Sequence, residues 1–478
     1  MTRFDQQFKL HSVGQGLCYS GFVTDYHHQF RMVFDCGSLN TKAIDREVAL
    51  IRAGGLEESG VLDLLVISHF DADHVSHILK LVENVRTVRR LVLPFLGFTE
   101  RLFMVLKGIN TTGGYNPGYN DVIRMVIDPV GSLGDRLNGD SEVYFVESDP
   151  DPIPPDRNSD DFSRRERESD DNQGFVFDFE NKRDLSPEMR AELRVGQTRA
   201  SLFQTQDSNK GIMSKTDMRL MDFLFYKRRI GDRETLFYST VEALLYDNYK
   251  ITSPTVENVI SVIKEFKNAK PVRKLFRDAA IRCRLPIAPT TNLNTTALCM
   301  LHRNLLDIIY LVSGHGHLPK DNWSYFDRFP SIRNTYNFKG FPNQLSSERC
   351  YYVSDVLYGG GSVGAFFRYP NTMLTSDTFL FSAEDIAAFQ NKYRNYRDHY
   401  WLVQVPHHGS AHSVNADFFI GLNLKFLIPE FFINYGLNNR FGHPKLQVIQ
   451  MLSASSGNRV FPVHELQGLE FSLTLTPH

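Results

Sequence analysis

Apolar and polar positions along this chain fall into stretches of two periods. Met32-Val33-Phe34 and Leu64-Leu65-Val66-Ile67 are short apolar runs, rich in β-branched residues, each stopping abruptly at polar ones. Such runs read as buried strands. The stretch from Phe8 to Phe34 predicts opening β-hairpins, with Val13-Gly14-Gln15-Gly16 as a tight turn. Ala43 to Ala53 has helical periodicity and is stopped by Gly54-Gly55. Val75 to Val85 reads as a second helix and Val88 to Leu96 as a further strand. This alternation implies a layered α/β architecture. Late in the chain, Asn292 to Leu301, Trp401 to Val405 and Leu424 to Ile428 again read as strands. Ser382 is placed to cap a helix running to Tyr393, and Pro444 to open another at its first position.

The middle is different. Residues 148–171 hold nine acids, four arginines and four prolines and almost nothing apolar, too little to offset the entropy of ordering, which predicts a mobile loop. From about Asp217 to Arg284 the apolar positions fall at helical spacing: Met221, Leu224 and Phe225, then Val241, Leu244 and Leu245, then Val259, Val262, Ile263 and Phe266. These read as packing faces. Lys227-Arg228-Arg229 and the stretch from Lys264 to Arg284 make the section basic, a solvated helical face with phosphate binding as the alternative.

Composition narrows the class. The chain has 478 residues, 42% hydrophobic and 23% charged, ordinary values for a soluble protein of one to three domains. A net charge of −2 gives no overall basic field, so any contact with nucleic acid needs a local patch. Cys18, Cys36, Cys283, Cys299 and Cys350 are scattered and odd in number, which argues against a disulfide framework and for a reducing compartment. The N-terminus has no apolar signal core and no apolar run reaches membrane-spanning length, so the expected location is the cytoplasm, without a membrane partner.

The chemistry is concentrated where the strand Leu64–Ile67 ends. His69, Asp71, Asp73 and His74 follow within a few residues, and a turn there can gather all four side chains around one point. Carboxylates and imidazoles together suit a hard or borderline divalent ion such as Zn, Mn or Fe. The plainer reading, a polar loop capping the helix after it, uses Asp73 alone and leaves the others unexplained.

Ser68-His69-Phe70-Asp71-Ala72-Asp73-His74 after an apolar strand resembles the signature of the metallo-β-lactamase fold, with Asp71 where the common form has His. That variant is similar to the soluble hydrolase domain of ComEC-type competence proteins. Other segments share the resemblance: Val13-Gly14-Gln15-Gly16, with Leu17 in place of the usual Asp; Phe34-Asp35-Cys36-Gly37; Met373-Leu374-Thr375-Ser376-Asp377; Val405-Pro406-His407-His408-Gly409-Ser410; and Asn439-Arg440-Phe441-Gly442-His443-Pro444. The resemblance covers roughly residues 8–98 and 290–474 and supplies no His in the segment Asn292 to Leu301. His315 and His317 are candidate substitutes.

The resemblance implies a four-layer αβ/βα sandwich, built from residues 1–98 and 290–478. Between them lies an insertion, 99–289, partly disordered over 148–198 and helical over 217–284. It implies one or two divalent ions, Zn or Mn, held by His69, Asp71, Asp73, His74 and Asp377, with Asp377 bridging. Spacing leaves open which of His407 and His408 is a ligand; the assignment adopted puts His407 on the metal and His408 with Ser410 toward phosphate. Asp35 orients a ligand from behind. Asp73, His408 and His443 carry the chemistry. The implied reaction is hydrolysis of a phosphodiester, most simply nucleic acid. A small-molecule phosphodiesterase or lactonase is the alternative enzyme. A third reading, suggested by the aromatic-rich helices and the acidic loop, is a partner-regulated module whose insertion binds other proteins; proteins similar to this one occur in bacterial anti-phage gene clusters, which the resemblance makes an expected setting.

Overall fold

The computed structural model describes residues 4–116, 120–148, 174–204, 210–215, 218–252, 256–284, 297–304, 328–336, 348–350, 371–394, 396, 400, 402–422, 429–456 and 460–475. Among these, two large sheets pack face to face. The first runs in the order Arg183–Asp184, Arg199–Gln204, Glu142–Glu147, Arg90–Pro94, Leu64–Val66, Gln29–Ser38, Gly16–Thr24, Phe4–Leu10, Gln467–Leu475, Arg328–Tyr336, Glu348–Cys350. The second runs Val460–Val463, Glu430–Asn434, Leu402–Gln404, Thr372–Leu374, Leu298–Asn304, Met218–Lys227, Gly211–Lys215, Val176–Phe179.

Both sheets contain parallel strands. In the first, Gln29–Ser38, Leu64–Val66, Arg90–Pro94 and Glu142–Glu147 run the same way. In the second, Thr372–Leu374, Leu402–Gln404, Glu430–Asn434 and Val460–Val463 do so. The expected hairpins flank the first set, and the last strand closes on the first, Leu10 opposite Leu469. Parallel strands deliver their carboxyl ends to one edge, where open α/β sheets bind ligands.

Between the sheets Phe8, Tyr19, Phe34, Val66 and Tyr144 meet Phe177, Phe223, Phe225, Leu374 and Phe432. Alternate residues of the first sheet, such as Val33, Leu65, Leu91 and Val143, turn outward against helices carrying Ile44, Val48, Phe103, Leu106 and Phe237. Leu224, Leu301, Met373, Val403 and Phe431 do the same on the second, against Ile386, Phe389, Phe418 and Leu452. The layers are therefore helix, sheet, sheet, helix: the metallo-β-lactamase-type αβ/βα sandwich that the motifs imply. Among the described residues no helix is long and apolar enough to cross a membrane.

Three elements differ from the sequence reading. Met218–Lys227 is a strand, not helix, paired with Leu298–Asn304 and Gly211–Lys215. Its two faces are both buried, Met221, Phe223 and Phe225 between the sheets and Leu224 and Tyr226 outside, so the apolar run carries no period-2 alternation to betray it. The helical reading holds from Asp232, where helices Asp232–Tyr249, Val256–Lys264 and Lys270–Arg282 follow. The helix expected over Val75–Val85 is two short turns, Ala72–Val75 and Ile78–Leu81. The helix Thr41–Ile51 does break at Gly54-Gly55 as expected, Gly55 standing at φ 99°, and a separate short turn, Glu57–Ser59, follows. The late helix is Leu446–Ser456, beginning two residues after Pro444.

Strands also come from the segment between the two motif-bearing parts. Glu142–Glu147 and Arg199–Gln204 hydrogen-bond into the first sheet, and Val176–Phe179, Gly211–Lys215 and Met218–Lys227 into the second. The loop 149–171, the strand Leu424–Ile428, Asn292–Thr296 and His315 and His317 lie outside the described residues.

Candidate metal centre

Five chain segments reach one edge of the sandwich. The strand Gln29–Ser38 breaks register with its neighbour at Cys18/Tyr19, and within that bulge Asp35 takes φ 55°. This turns its buried carboxylate onto the next strand's end: Oδ1 accepts the Ser68 N–H at 2.7 Å, and Oδ2 accepts the Ser68 hydroxyl at 2.5 Å. The same Oδ2 stands 2.8 Å from His74 Nδ1. With Nδ1 so engaged, His74 offers only Nε2 to a ligand.

Two glycines make the approach possible. A Cβ on Gly37 would fall 2.5 Å from the carbonyl carbon of His74, and one on Gly16, at φ +144°, 2.5 Å from the Asp73 carbonyl oxygen. The glycines of the Val13–Gly16 turn and of Asp35-Cys36-Gly37 thus let the hairpin pass directly against the turn carrying Asp73 and His74.

From the other half come Asp377, after Thr372–Leu374, and His408, after Leu402–Gln404. Asp377 Oδ1 lies 3.4 Å from His74 Nε2 and 3.4 Å from His408 Nε2, and Asp73 Oδ2 lies 3.3 Å from His408 Nε2. Asp377 Oδ2 faces the other way, 3.5 Å from His407 Nε2 and 3.9 Å from His69 Nε2. Asp73, His74, Asp377 and His408 each offer one ligand atom, all within 4.8 Å of one another.

These lengths carry information. Ordinary N–H···O bonds run about 2.7–3.2 Å. Ligands about 2.0–2.2 Å from a tetrahedral ion stand roughly 3.3–3.6 Å from each other. The observed 3.3–3.4 Å separations match the second spacing. His69 Nε2, His74 Nε2 and His408 Nε2 are buried and make no hydrogen bond among the described residues. Three imidazole nitrogens left so, aimed at two carboxylates, fit a divalent ion. A second position would lie on the Oδ2 side of Asp377, with His69 and His407. Asp35, His69 and His74 also cluster, but Asp35's oxygens are committed to Ser68 and His74, which leaves it an orienting role.

The electrostatics keep the carboxylates charged. Burial favours neutral Asp377, but His407, His408 and His74 outweigh it and hold the carboxyl well below the usual range. Asp73 is likewise depressed: burial raises it, and the contact with His408 and the charge of His74 lower it further. Burial lowers His74, but Asp377 and Asp35 more than reverse this. Burial, with His74 beside it, pushes His69 down to about 4.

Residues that sequence reasoning missed hold the ligands. His408 Nδ1 lies 2.8 Å from the Asn434 carbonyl, and Asn434 Nδ2 donates to Gly16 O at 2.8 Å, tying the second sheet to the first. Gln404 donates to Asn434 Oδ1 at 2.7 Å and accepts the Ser376 N–H at 2.7 Å. Ser68 and Ser376 hydroxyls meet at 2.7 Å across the interface. The available signal was a polar residue closing an apolar strand: Leu402-Val403-Gln404 and Phe431-Phe432-Ile433-Asn434. Ser376, His407 and His408 take φ 49°, 48° and 53°, a backbone region costly for non-glycine residues that clusters at functional sites.

Other predicted site residues fall elsewhere. The Asp71 carboxylate is not in either cluster; it pairs with Lys107 Nζ at 2.9 Å. His408, not His407, belongs to the group of four, because the left-handed turn sends His408 inward to Asn434. His407 is 20% exposed, with Nδ1 2.7 Å from the Ser413 hydroxyl. Ser410 is buried, its carbonyl accepting the Ser413 N–H. His443 is half-buried at the rim, its ring centroid 5.9 Å from that of His407 and 6.0 Å from Phe441.

No family model matches the chain, and no curated protein does. Among solved structures, it is similar to a metallo-beta-lactamase fold protein YhfI from Bacillus subtilis, at 9% identity and TM-score 0.32, over 98% of this chain and 99% of that one.

Proposed function

We propose that this chain is a metal-dependent phosphodiesterase whose substrate is nucleic acid. The observation that carries the reading is the convergence of Asp73, His74, Asp377 and His408, from both halves of the sandwich, at the mutual spacing of ligands around one divalent ion. A bound ion there supplies Lewis-acid activation of water and of the scissile group. The protein's own residues do the rest. Asp35 and Asn434 fix the imidazoles of His74 and His408 from behind, so that each presents Nε2. Asp377 presents one oxygen to each side of the cluster. His407 and His443 border the centre, and their ring N–H groups suit phosphoryl oxygens, on which charge builds as water attacks.

Zn and Mn both fit a mixed imidazole and carboxylate set. The test is elemental analysis of the purified protein, paired with cleavage of single- and double-stranded DNA and RNA, with Mn and with Zn, across a salt series. Metal-dependent cleavage that weakens with salt is the expected result. Turnover of a small ester or cyclic nucleotide, with every nucleic acid left intact, would replace this reading with the small-molecule one. A protein that binds partners but neither metal nor any of these substrates would reject both.

A further inference from the structure

The Asp71 carboxylate stands at a position where the motif suggests a ligand, yet it points at a lysine. We propose that Lys107, anchored by Asp71, is an anion clamp that takes a non-bridging oxygen of a phosphate ester at the mouth of the metal cluster. The inference rests on the phosphodiester reading and names a residue that binds its substrate.

Asp71 heads the turn that bears the ligands. Its carbonyl accepts the His74 N–H at 2.9 Å and the Val75 N–H at 3.1 Å, so its side chain leaves from the same turn as Asp73 and His74. Lys107 sits on the helix Phe98–Thr112, and that helix is fixed by Phe103, Leu106 and Ile109 in the outer core. The ion pair between them is 2.9 Å long, with both side chains about a quarter exposed, 24% and 25%. It therefore lies at the surface lip of the cluster rather than inside it.

The chemistry calls for such a group. Asp73 and Asp377 put two carboxylates at the centre, and a phosphodiester brings another negative charge toward them. A cation at the lip offsets that repulsion and, through a charge-assisted hydrogen bond, orients the phosphoryl group. A Lys ammonium has three N–H donors, so an oxygen of the substrate can share it with Asp71. A partly exposed ion pair is weak, which lets the lysine reach outward without leaving its anchor.

The experiment uses the full chain loaded with Mn or Zn and reads binding of inorganic phosphate by calorimetry, beside kinetics on bis(p-nitrophenyl) phosphate. Lys107→Met should weaken phosphate binding by about tenfold and raise KM for the diester by a similar factor, with kcat less affected. Lys107→Arg should retain most of both. Asp71→Asn should weaken phosphate binding about threefold, with metal content unchanged, the lysine being present but unanchored. Phosphate binding by Lys107→Met equal to that of the parent, or no phosphate binding by the parent itself, overturns the clamp. Loss of metal from Asp71→Asn overturns the anchor, since Asp71 would then be a ligand. Phosphate binding that depends on Lys107, without diester cleavage, keeps the clamp and rejects the reaction.

Discussion

Two buried polar clusters, one beside the first sheet and one where strands of both sheets end, are built in opposite ways. At Glu47, on the helix Thr41–Ile51, Oε2 stands 2.9 Å from His11 Nδ1 and 3.5 Å from Lys9 Nζ, and Oε1 accepts the Ser12 hydroxyl at 2.7 Å. The far nitrogen of His11 meets the Ser20 hydroxyl at 2.7 Å. Both imidazole nitrogens and both carboxylate oxygens have partners at ordinary bond lengths. At the other cluster, contacts among Asp73, His74, Asp377 and His408 are 3.3–3.4 Å, and among the described residues Nε2 of His74, of His408 and of neighbouring His69 makes no hydrogen bond. Burial of charge is costly unless it is compensated. The Glu47 cluster compensates internally and is structural. The strand-end cluster is spaced for a third party.

The largest expected effect breaks the second cluster. Asp377→Ala should remove metal from the purified protein and lower activity by at least about a thousandfold, since both sides of the centre lose an oxygen. The folded far-UV spectrum should survive. Full metal occupancy in this variant, by elemental analysis, would break the comparison.

Next comes the mirror experiment. Glu47→Ala leaves His11, Ser12 and Lys9 without their common partner and should cost about 3–5 kcal/mol of stability. Metal content should stay at the parent's value, because nothing in that cluster is spaced for an ion. Urea unfolding reads the first quantity and elemental analysis the second. A loss of metal larger than the loss of folded protein would show that the two clusters are coupled.

A third change grades the support behind the ligands. Asn434→Ala removes the donor to Gly16, the acceptor of Gln404 and the amide nitrogen 3.0 Å from His408 Nδ1, while the backbone carbonyl facing His408 remains. Metal affinity should fall about 10–100-fold, the usual cost of a missing outer partner. Competition with a chromophoric chelator measures it. An unchanged affinity would confine the orienting role to backbone.

Much of this was legible in the sequence because each motif ends a strand. His69, Asp73 and His74 after Leu64–Val66, Asp377 after Thr372–Leu374 and His408 after Leu402–Gln404 all lie at the carboxyl ends of parallel strands, where an apolar run turns polar. What was illegible depends on direction. Alternation along an extended chain does not reveal that Asp71 turns toward a helix contributed from the unmatched middle. Nor does it show that a left-handed turn sends His408 in and His407 toward Ser413. Met218–Lys227 was misread for a related reason. Burial on both faces erases the alternation that identifies a strand, and Met221, Leu224 and Phe225 then satisfy helical spacing equally well.

The smallest expected effect separates an orphaned nitrogen from a convergent one. His302 is buried between the sheets, Nε2 2.5 Å from the Tyr19 hydroxyl and its ring 4.7 Å from that of Phe8. Its Nδ1 has no hydrogen-bond partner among the described residues, as at the metal centre, but it is in neither candidate metal-binding group. Burial alone pushes its imidazole down to about 3. The unfolded chain takes up this proton near 6.5 and the folded one only near 3, so between these values the unfolded state holds more protons. Stability must therefore fall as pH is lowered through that window, by about 1 kcal/mol between about pH 7 and 5.5 from this residue. The double variant Tyr19→Phe with His302→Phe keeps the ring stacking and removes both polar groups. Urea unfolding of the two proteins at both pH values, in one metal state, should show the acid loss smaller in the variant by about 1 kcal/mol. Its metal content should match the parent's. Equal acid losses would mean that His302 is protonated inside the fold, and an orphaned nitrogen would then cease to separate a ligand site from a core.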